Sequence, residues 1–353
     1  MLRPALQKAA AGSHLSREEA AHAIAVMLSG DAVPAQMAAL LIALRMKGET
    51  PDEIVGAALA LRRRALAVDV PDALRAHLVD TCGTGGDGAH TFNISTAAAF
   101  VAAAAGATVA KHGNRAVSSN CGSADVLAAL GVELELSPRA LSACLEQCGM
   151  AFLFAPRHHA AMRHVAPVRK ELGLRTLFNL LGPLANPAGA QRQLLGVYAP
   201  ELLPVIARAL AELGCVHAIV VHGAGGLDEI STEGESRIAE LRGGVVREWS
   251  MHPESVGVEA APRSELRGGD AQENAALLRA VLEGEVSARR TAVLLNAGAA
   301  LCAAGICETI GEGVERAKAS IDSGAARERL ARLVRVSHEE MARDQGASGS
   351  STP

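Results

Sequence analysis

Along the first seventy residues, apolar side chains recur every three or four positions, the period of a helix with one buried face. Ala20, Ile24 and Met27 mark one such stripe, which starts after Ser16-Arg-Glu-Glu19 and ends near Gly30. Ser16 and Glu19 fit a capping box, in which each side chain satisfies the other's free backbone donor. A second helix is predicted over 34–47, with Gly48 as its stop signal. A third opens at Thr50-Pro-Asp-Glu53, which combines an N-cap, a first-turn proline and a capping glutamate. No strand pattern interrupts these helices, so residues 1–73 are predicted to form a small helical domain.

The pattern then changes. Short apolar runs at 77–80, 108–110, 132–136, 151–154, 194–198 and 215–221 read as strands, and segments of helical length at 93–105, 123–130, 138–148, 157–172 and 201–213 separate most of them. Strands that alternate with helices pair in parallel, so the class is α/β: a small N-terminal helical domain followed by a larger domain, 74–345, with a mostly parallel central sheet flanked by helices. Residues 233–251 hold paired polar and apolar runs around Gly243-Gly244, an antiparallel excursion, and helices resume near 271 and continue to about 343. Residues 346–353 are too small and polar to pack and are expected to be disordered.

Composition narrows the function classes. The chain has 353 residues, enough for about two domains. It is 49% apolar with a mean hydropathy of +0.19, yet no run reaches the roughly 18 apolar residues of a membrane span. The surplus is largely alanine, as over 97–105, and reads as close-packed helices. Seven cysteines at irregular spacing, and an N-terminus without a signal-peptide core, lead us to expect reduced thiols in a cytoplasm. A net charge of −4 and 2% aromatic residues give no support to nucleic acid as a partner.

The chemistry concentrates in three loops that follow predicted strands, the end of an α/β sheet at which ligands bind. Asp80-Thr-Cys-Gly-Thr-Gly-Gly-Asp-Gly88 precedes Asn93-Ile-Ser-Thr96 at a helix start. Gly83, Gly85 and Gly86 let the backbone approach an anion, and Asn93, Ser95 and Thr96 add donors. Taken alone, this loop reads better as a glycine turn whose Asn93 or Ser95 is only an N-cap. Lys111-His-Gly-Asn-Arg-Ala-Val-Ser-Ser119 follows closely and adds two cations, so together the loops suit a ligand with more than one phosphate. Asp87 repels phosphate; it either binds a ligand hydroxyl, holds metal-bound water or caps a turn. The third loop, 221–231, carries Asp228 and Glu229, adjacent carboxylates of the kind that hold Mg²⁺ beside phosphate oxygens, or that face solvent in a turn. The cation-rich segment 156–173 fits either a clamp for an anionic acceptor or an ordinary exposed face.

Together these motifs resemble the anthranilate phosphoribosyltransferases of tryptophan biosynthesis. The resemblance runs in order through Gly83-Thr-Gly-Gly-Asp87, Asn93-Ile-Ser-Thr96, Lys111 to Ser119, Cys121-Gly-Ser-Ala-Asp-Val-Leu127, Phe152-Leu-Phe-Ala-Pro156, His164-Val-Ala-Pro-Val-Arg169, Phe178-Asn-Leu-Leu-Gly-Pro183 and Asp228-Glu229. It continues to Leu295-Asn-Ala-Gly-Ala-Ala-Leu301 and Ile321-Asp-Ser-Gly324, and so spans nearly the whole chain. It implies transfer of 5-phosphoribosyl from phosphoribosyl pyrophosphate to the amine of anthranilate, a homodimer, and helices over about 160–190 that return to the small domain. It also implies that Gly83, Gly86, Asp87, Thr91, Asn93, Ile94, Ser95, Thr96, Lys111, His112, Gly113, Asn114, Arg115, Ala116, Val117, Ser118, Ser119 and Ser123 contact the sugar donor. Ser95, Asp228 and Glu229 would hold Mg²⁺, as two ions bound with the donor. Gly83, Asn114 and Arg169 would meet anthranilate, with His112 and His159 as further candidates. The chain has Ala160 where the family commonly has proline and Ala128 where glutamate is common, departures that bear on the shape of the acceptor pocket. A pyrimidine nucleoside phosphorylase shares the two-domain plan but lacks the Lys-His-Gly-Asn run. An inactive nucleic-acid-binding relative would be expected to lose the acids at 228 and 229.

Overall fold

Runs such as Leu78-Val79, Val109-Ala110 and Ala218-Ile-Val-Val221 are buried throughout, as strands covered by helices on both faces must be. In the computed structural model, which describes residues 1–116 and 120–349, they belong to one seven-stranded sheet. Its strands are β1 (Leu78–Gly83), β2 (Thr108–Gly113), β3 (Met150–Phe154), β4 (Arg192–Gly196), β5 (His217–His222), β6 (Ser236–Arg242) and β7 (Val245–Met251). The spatial order is β3-β2-β1-β4-β5-β6-β7. The first five strands pair in parallel, and β6 and β7 are antiparallel additions. Gly243 and Gly244, with φ of +58° and +81°, make the tight β6–β7 turn that two left-handed residues allow.

From β1 the chain steps outward to β2 and β3, then returns to place β4 on the other side of β1. That reversal opens a crevice beyond the carboxyl ends of β1 and β4, where Gly83 lies opposite Gly196.

The N-terminal helices Arg3–Ala10, Arg17–Ser29, Pro34–Lys47 and Pro51–Arg62 contain the predicted ones, and both capping boxes form. Glu53 does more than cap: fully buried, it also pairs with Lys47 at 2.6 Å and accepts the Leu15 N–H at 2.7 Å. Val165, Val168, Leu177, Phe178 and Leu181 share a core with Ile24, Leu40, Leu41 and Ile54 of these helices. The segment that follows β3 is thereby carried to the helical side of the crevice.

Three expectations need correction. Residues 132–136 alternate in burial but form no strand. The Val132 N–H turns back to the Leu127 carbonyl and that of Glu133 donates to Ser337 Oγ at 3.1 Å, so these donors are spent outside any ladder. The predicted helix 157–172 is three short pieces, Ala155–His158, the 3₁₀ turn Ala160–His164 and Ala166–Leu172. Pro156 and Pro167 start the first and last pieces, and His159 leaves helical geometry between the first two. Residues 346–349, expected to be disordered, continue the last helix, Ala325–Gly349, whereas 350–353 lie outside the described residues. No helix among the described residues is long and apolar enough to cross a membrane.

Candidate active site

The crevice is narrow because glycines line it. A Cβ on Gly196 would overlap the Asp228 carbonyl, and one on Gly83 would stand 2.5 Å from Asp228 Oδ2. Asp228 can therefore sit directly over the ends of β1 and β4. Its neighbour loop is pinned from behind by Asn296, whose amide accepts the Ile230 N–H at 2.9 Å and donates to the Ile230 carbonyl at 3.2 Å.

Gly85, Gly86 and Gly88 all adopt left-handed backbone, with φ of +66°, +74° and +74°. The Gly85 N–H donates to Asp228 Oδ2 at 2.7 Å, which joins the first loop to the third. Asp87 Oδ1 accepts the Ala89 N–H at 3.1 Å, the turn-capping role, while its carboxyl also lies close enough to Asp228 to repel its charge. Thr91 bridges to Arg267 in a short antiparallel contact. Asn93 precedes the helix Ile94–Ala104 but does not cap it; it donates to the Cys121 carbonyl at 3.3 Å and accepts from Asn274 at 3.0 Å. Ile94 is core, and Thr96 is fully buried with its hydroxyl unpartnered among the described residues. The Ser95 N–H donates to Glu229 Oε1 at 3.2 Å, so the helix N-terminus already faces a carboxylate.

Lys111 does not extend into solvent. Its ammonium donates inward to the Thr81 carbonyl and, at 3.1 Å, to Ser95 Oγ. Burial lowers its pKa, opposed by Asp80, Glu229 and Asp228. Asp80 is fully buried under the same strand ends and accepts from the His112 N–H at 3.0 Å and from Asn186 Nδ2 at 2.7 Å. Asn186 also donates to the Ala110 carbonyl at 2.8 Å, tying β1 to β2 just behind Lys111. Burial, then like charge, holds Asp228 and Glu229 above the ordinary carboxylate range: Asp87 acts on Asp228, and Asp228 on Glu229.

The second loop folds back on the helix Ser123–Ala129. A Cβ on Gly113 would overlap Ser123 Oγ, and that hydroxyl donates to the Asn114 carbonyl at 3.3 Å. Asp125 accepts the Ala116 and Gly122 N–H groups at 2.9 and 3.0 Å and pairs with Arg115 at 3.0 Å. Val117, Ser118 and Ser119 lie outside the described residues.

His112 and His159 are buried with ring centroids 5.1 Å apart. Burial, then His159, pushes His112 down to about 3; burial, then His158, pushes His159 down to about 4. Both are neutral at pH 7, each with one ring nitrogen bonded to a carbonyl and the other unpartnered among the described residues. Arg169, on Ala166–Leu172, lies over the Phe178 ring at 5.7 Å and has no ion pair among the described residues. Partly buried without a counter-charge, it is a ready partner for a carboxylate.

Motif reading gave no role to Asp80 or Asn296, although both stand within the motifs themselves, and did not pick out Asn186, Asn274 or Arg175. Their contacts to the loops come from the fold.

Hard oxygen donors are present for a divalent cation. Among the described residues no three acidic, histidine or cysteine side chains close a metal cage. Mg²⁺, however, takes one or two carboxylates and completes its shell with substrate phosphates and water. Asp228, Glu229 and Ser95 Oγ fit that requirement, and the crowding of Asp87, Asp228 and Glu229 is the repulsion a cation relieves.

Comparison with known proteins agrees with this arrangement. Residues 3–65 match the helical bundle domain of a glycosyl transferase family, and residues 75–327 match its a/b domain. A curated anthranilate phosphoribosyltransferase from Symbiobacterium thermophilum is 54% identical over 333 residues, covering 94% of this chain and 97% of its own. The crystal structure of anthranilate phosphoribosyltransferase from Thermus thermophilus has a TM-score of 0.89 at 47% identity, covering 95% of this chain and 99% of that one. The Saccharomyces cerevisiae anthranilate phosphoribosyltransferase, solved in complex with PRPP and Mg, has a TM-score of 0.87 at 30% identity and covers 96% and 98%.

Proposed function

The chain belongs to the anthranilate phosphoribosyltransferase family of glycosyl transferases, and from that premise we propose how its residues divide the work. The protein transfers 5-phosphoribosyl from phosphoribosyl pyrophosphate to the amine of anthranilate and releases pyrophosphate, in tryptophan biosynthesis. What supports this most is the convergence of the glycine loop and the Asp228–Glu229 loop at the β1–β4 crevice, joined through Gly85 and Asp228.

Breaking the bond from ribose C1 to pyrophosphate leaves positive charge on the sugar and negative charge on the leaving group. Asp228, Glu229 and Ser95 would hold Mg²⁺, which would supply the neutralising charge. The rest is positioning. The N–H groups of Gly86 and Asp87, which have no hydrogen-bond partner among the described residues, and the start of Ile94–Ala104 serve the donor's phosphates, with Thr91, Asn93, Thr96, Lys111 to Ala116 and Ser123 around it. Lys111 acts from behind, by holding Ser95 Oγ and balancing the buried acids. Arg169 takes the anthranilate carboxylate, Asn114 and Gly83 border its ring, and neutral His112 and His159 line the pocket without competing for that charge. An aromatic amine is already a nucleophile, so no strong base is required. We infer a cytoplasmic homodimer, with domain limits at 1–73 and 74–345.

The test is to mix protein, phosphoribosyl pyrophosphate, Mg²⁺ and anthranilate and follow anthranilate fluorescence. Loss that requires all three reagents is expected; its absence in folded protein would overturn the reading.

A further inference from the structure

Arg175 stands at the rim of the crevice, exposed and without an ion pair among the described residues. Its guanidinium donates to the Gly86 carbonyl and lies over the Tyr198 ring at 4.1 Å. It packs so close that a Cβ on Gly86 would come within 3.4 Å of Nε. The backbone around Arg175 is itself held, because Arg45 of the helix Pro34–Lys47 donates to its carbonyl at 2.7 Å. Tyr198 is tied to the same loop, its N–H donating to Thr84 Oγ1 at 3.2 Å. The Arg175 guanidinium thus meets a neutral carbonyl and an aromatic face beside the anion loop.

From outside the loop, Asp228 holds Gly85 and lies against Asp87, and Arg175 holds Gly86. In the reading above Asp228 would be shared with Mg²⁺, whereas the Arg175 tether involves no metal ligand. Fixing the Gly86 carbonyl fixes the whole peptide plane and turns the Asp87 N–H the opposite way. Arg175 also follows closely on Arg169: Gly173, with φ of +59°, ends the helix that carries Arg169 by donating to the Arg169 carbonyl at 3.2 Å, and Arg175 lies just beyond it.

We propose that Arg175, stacked on Tyr198, is a positioning residue that fixes the Gly86–Asp87 peptide for the pyrophosphate end of the donor and ties the donor loop to the segment that follows the Arg169 helix. This rests on the phosphoribosyl-transfer reading above. The test compares R175A, R175K, Y198L and Y198F with the unaltered protein, by steady-state kinetics and by calorimetric titration with inorganic pyrophosphate and Mg²⁺. R175A should raise the KM for phosphoribosyl pyrophosphate and weaken pyrophosphate binding by about tenfold, the worth of one charge-assisted hydrogen bond. R175K should not restore either value, since lysine offers no planar fork to stack. Y198L should move both values in the same direction and Y198F should restore them. The KM for anthranilate should stay within about twofold, because uniform loss of donor binding leaves the acceptor untouched. Native values in R175A, full rescue by R175K, or a loss that merely follows a fall in Tm of more than about 3 °C would overturn the proposal. Absence of turnover in the unaltered protein defeats the functional reading instead, and the pyrophosphate titration still decides the role of Arg175.

Discussion

The Gly85 N–H donates to Asp228 Oδ2 at 2.7 Å across 143 residues of sequence. This one bond makes the phosphate loop and the metal loop a single unit, so a change at either should be felt at the other. Its acceptor also lies against Asp87 and beside Glu229, all at the ends of β1 and β4.

Asp228→Asn and Glu229→Gln should each raise the Mg²⁺ concentration needed for half-maximal turnover by tenfold or more, on the order of one lost charged ligand. Both carboxyls are held above their ordinary range by burial and like charge, so their ionised forms cost stability in the metal-free protein. The same substitutions should therefore leave the metal-free Tm unchanged or raise it, a trade of stability for function. Metal titration and thermal unfolding check the two halves.

Arg169→Ala should raise the KM for anthranilate about tenfold or more while kcat falls less, the sign of lost ground-state binding. Because Arg169 has no ion pair among the described residues to lose, Tm should hardly move. Kinetics at saturating donor check this; a collapse of kcat with unchanged KM would remove Arg169 from the acceptor site.

Gly196→Ala and Gly85→Ala should differ sharply. At Gly196 a Cβ collides with the Asp228 backbone, so the loop must shift, with loss of several kcal/mol and of activity. At Gly85 nothing lies within 4 Å, and the cost is the left-handed backbone alone, about 1 kcal/mol. Denaturant unfolding of the two variants measures the contrast.

Acid should destabilise the fold through its buried histidines. The folded values of His112 and His159, about 3 and about 4, lie below the ordinary value of 6.5. The unfolded chain therefore binds more protons between pH 6.5 and those values, and stability falls as pH drops through that window. His112→Asn should flatten that dependence, as unfolding followed from pH 7 to pH 4 would show.

Much of this was legible in the chain because it is local. Ser16 with Glu19 and Thr50 with Glu53 announce helix starts through contacts three residues apart, and the glycines at 83, 85 and 86 mark the loop by themselves. Alternation over 132–136 misled because a strand also needs a partner, and the Ser337 hydroxyl met that donor instead. Prolines 156 and 167 were visible, but the break at His159 follows from its burial against Ala185, a tertiary cause. The inward turn of Lys111, with Asp80 and Asn186 beneath it, is a property of stacked strand ends that no spacing encodes.

The central claim is that one phosphoribosyl is transferred for each pyrophosphate released at the β1–β4 crevice. The direct measurement is ³¹P NMR of the full reaction, with anthranilate fluorescence followed in parallel. Equal, Mg²⁺-dependent rates of pyrophosphate release and anthranilate loss are predicted, both strongly reduced in Asp228→Asn. Pyrophosphate release without anthranilate consumption, or neither in folded protein, would contradict it.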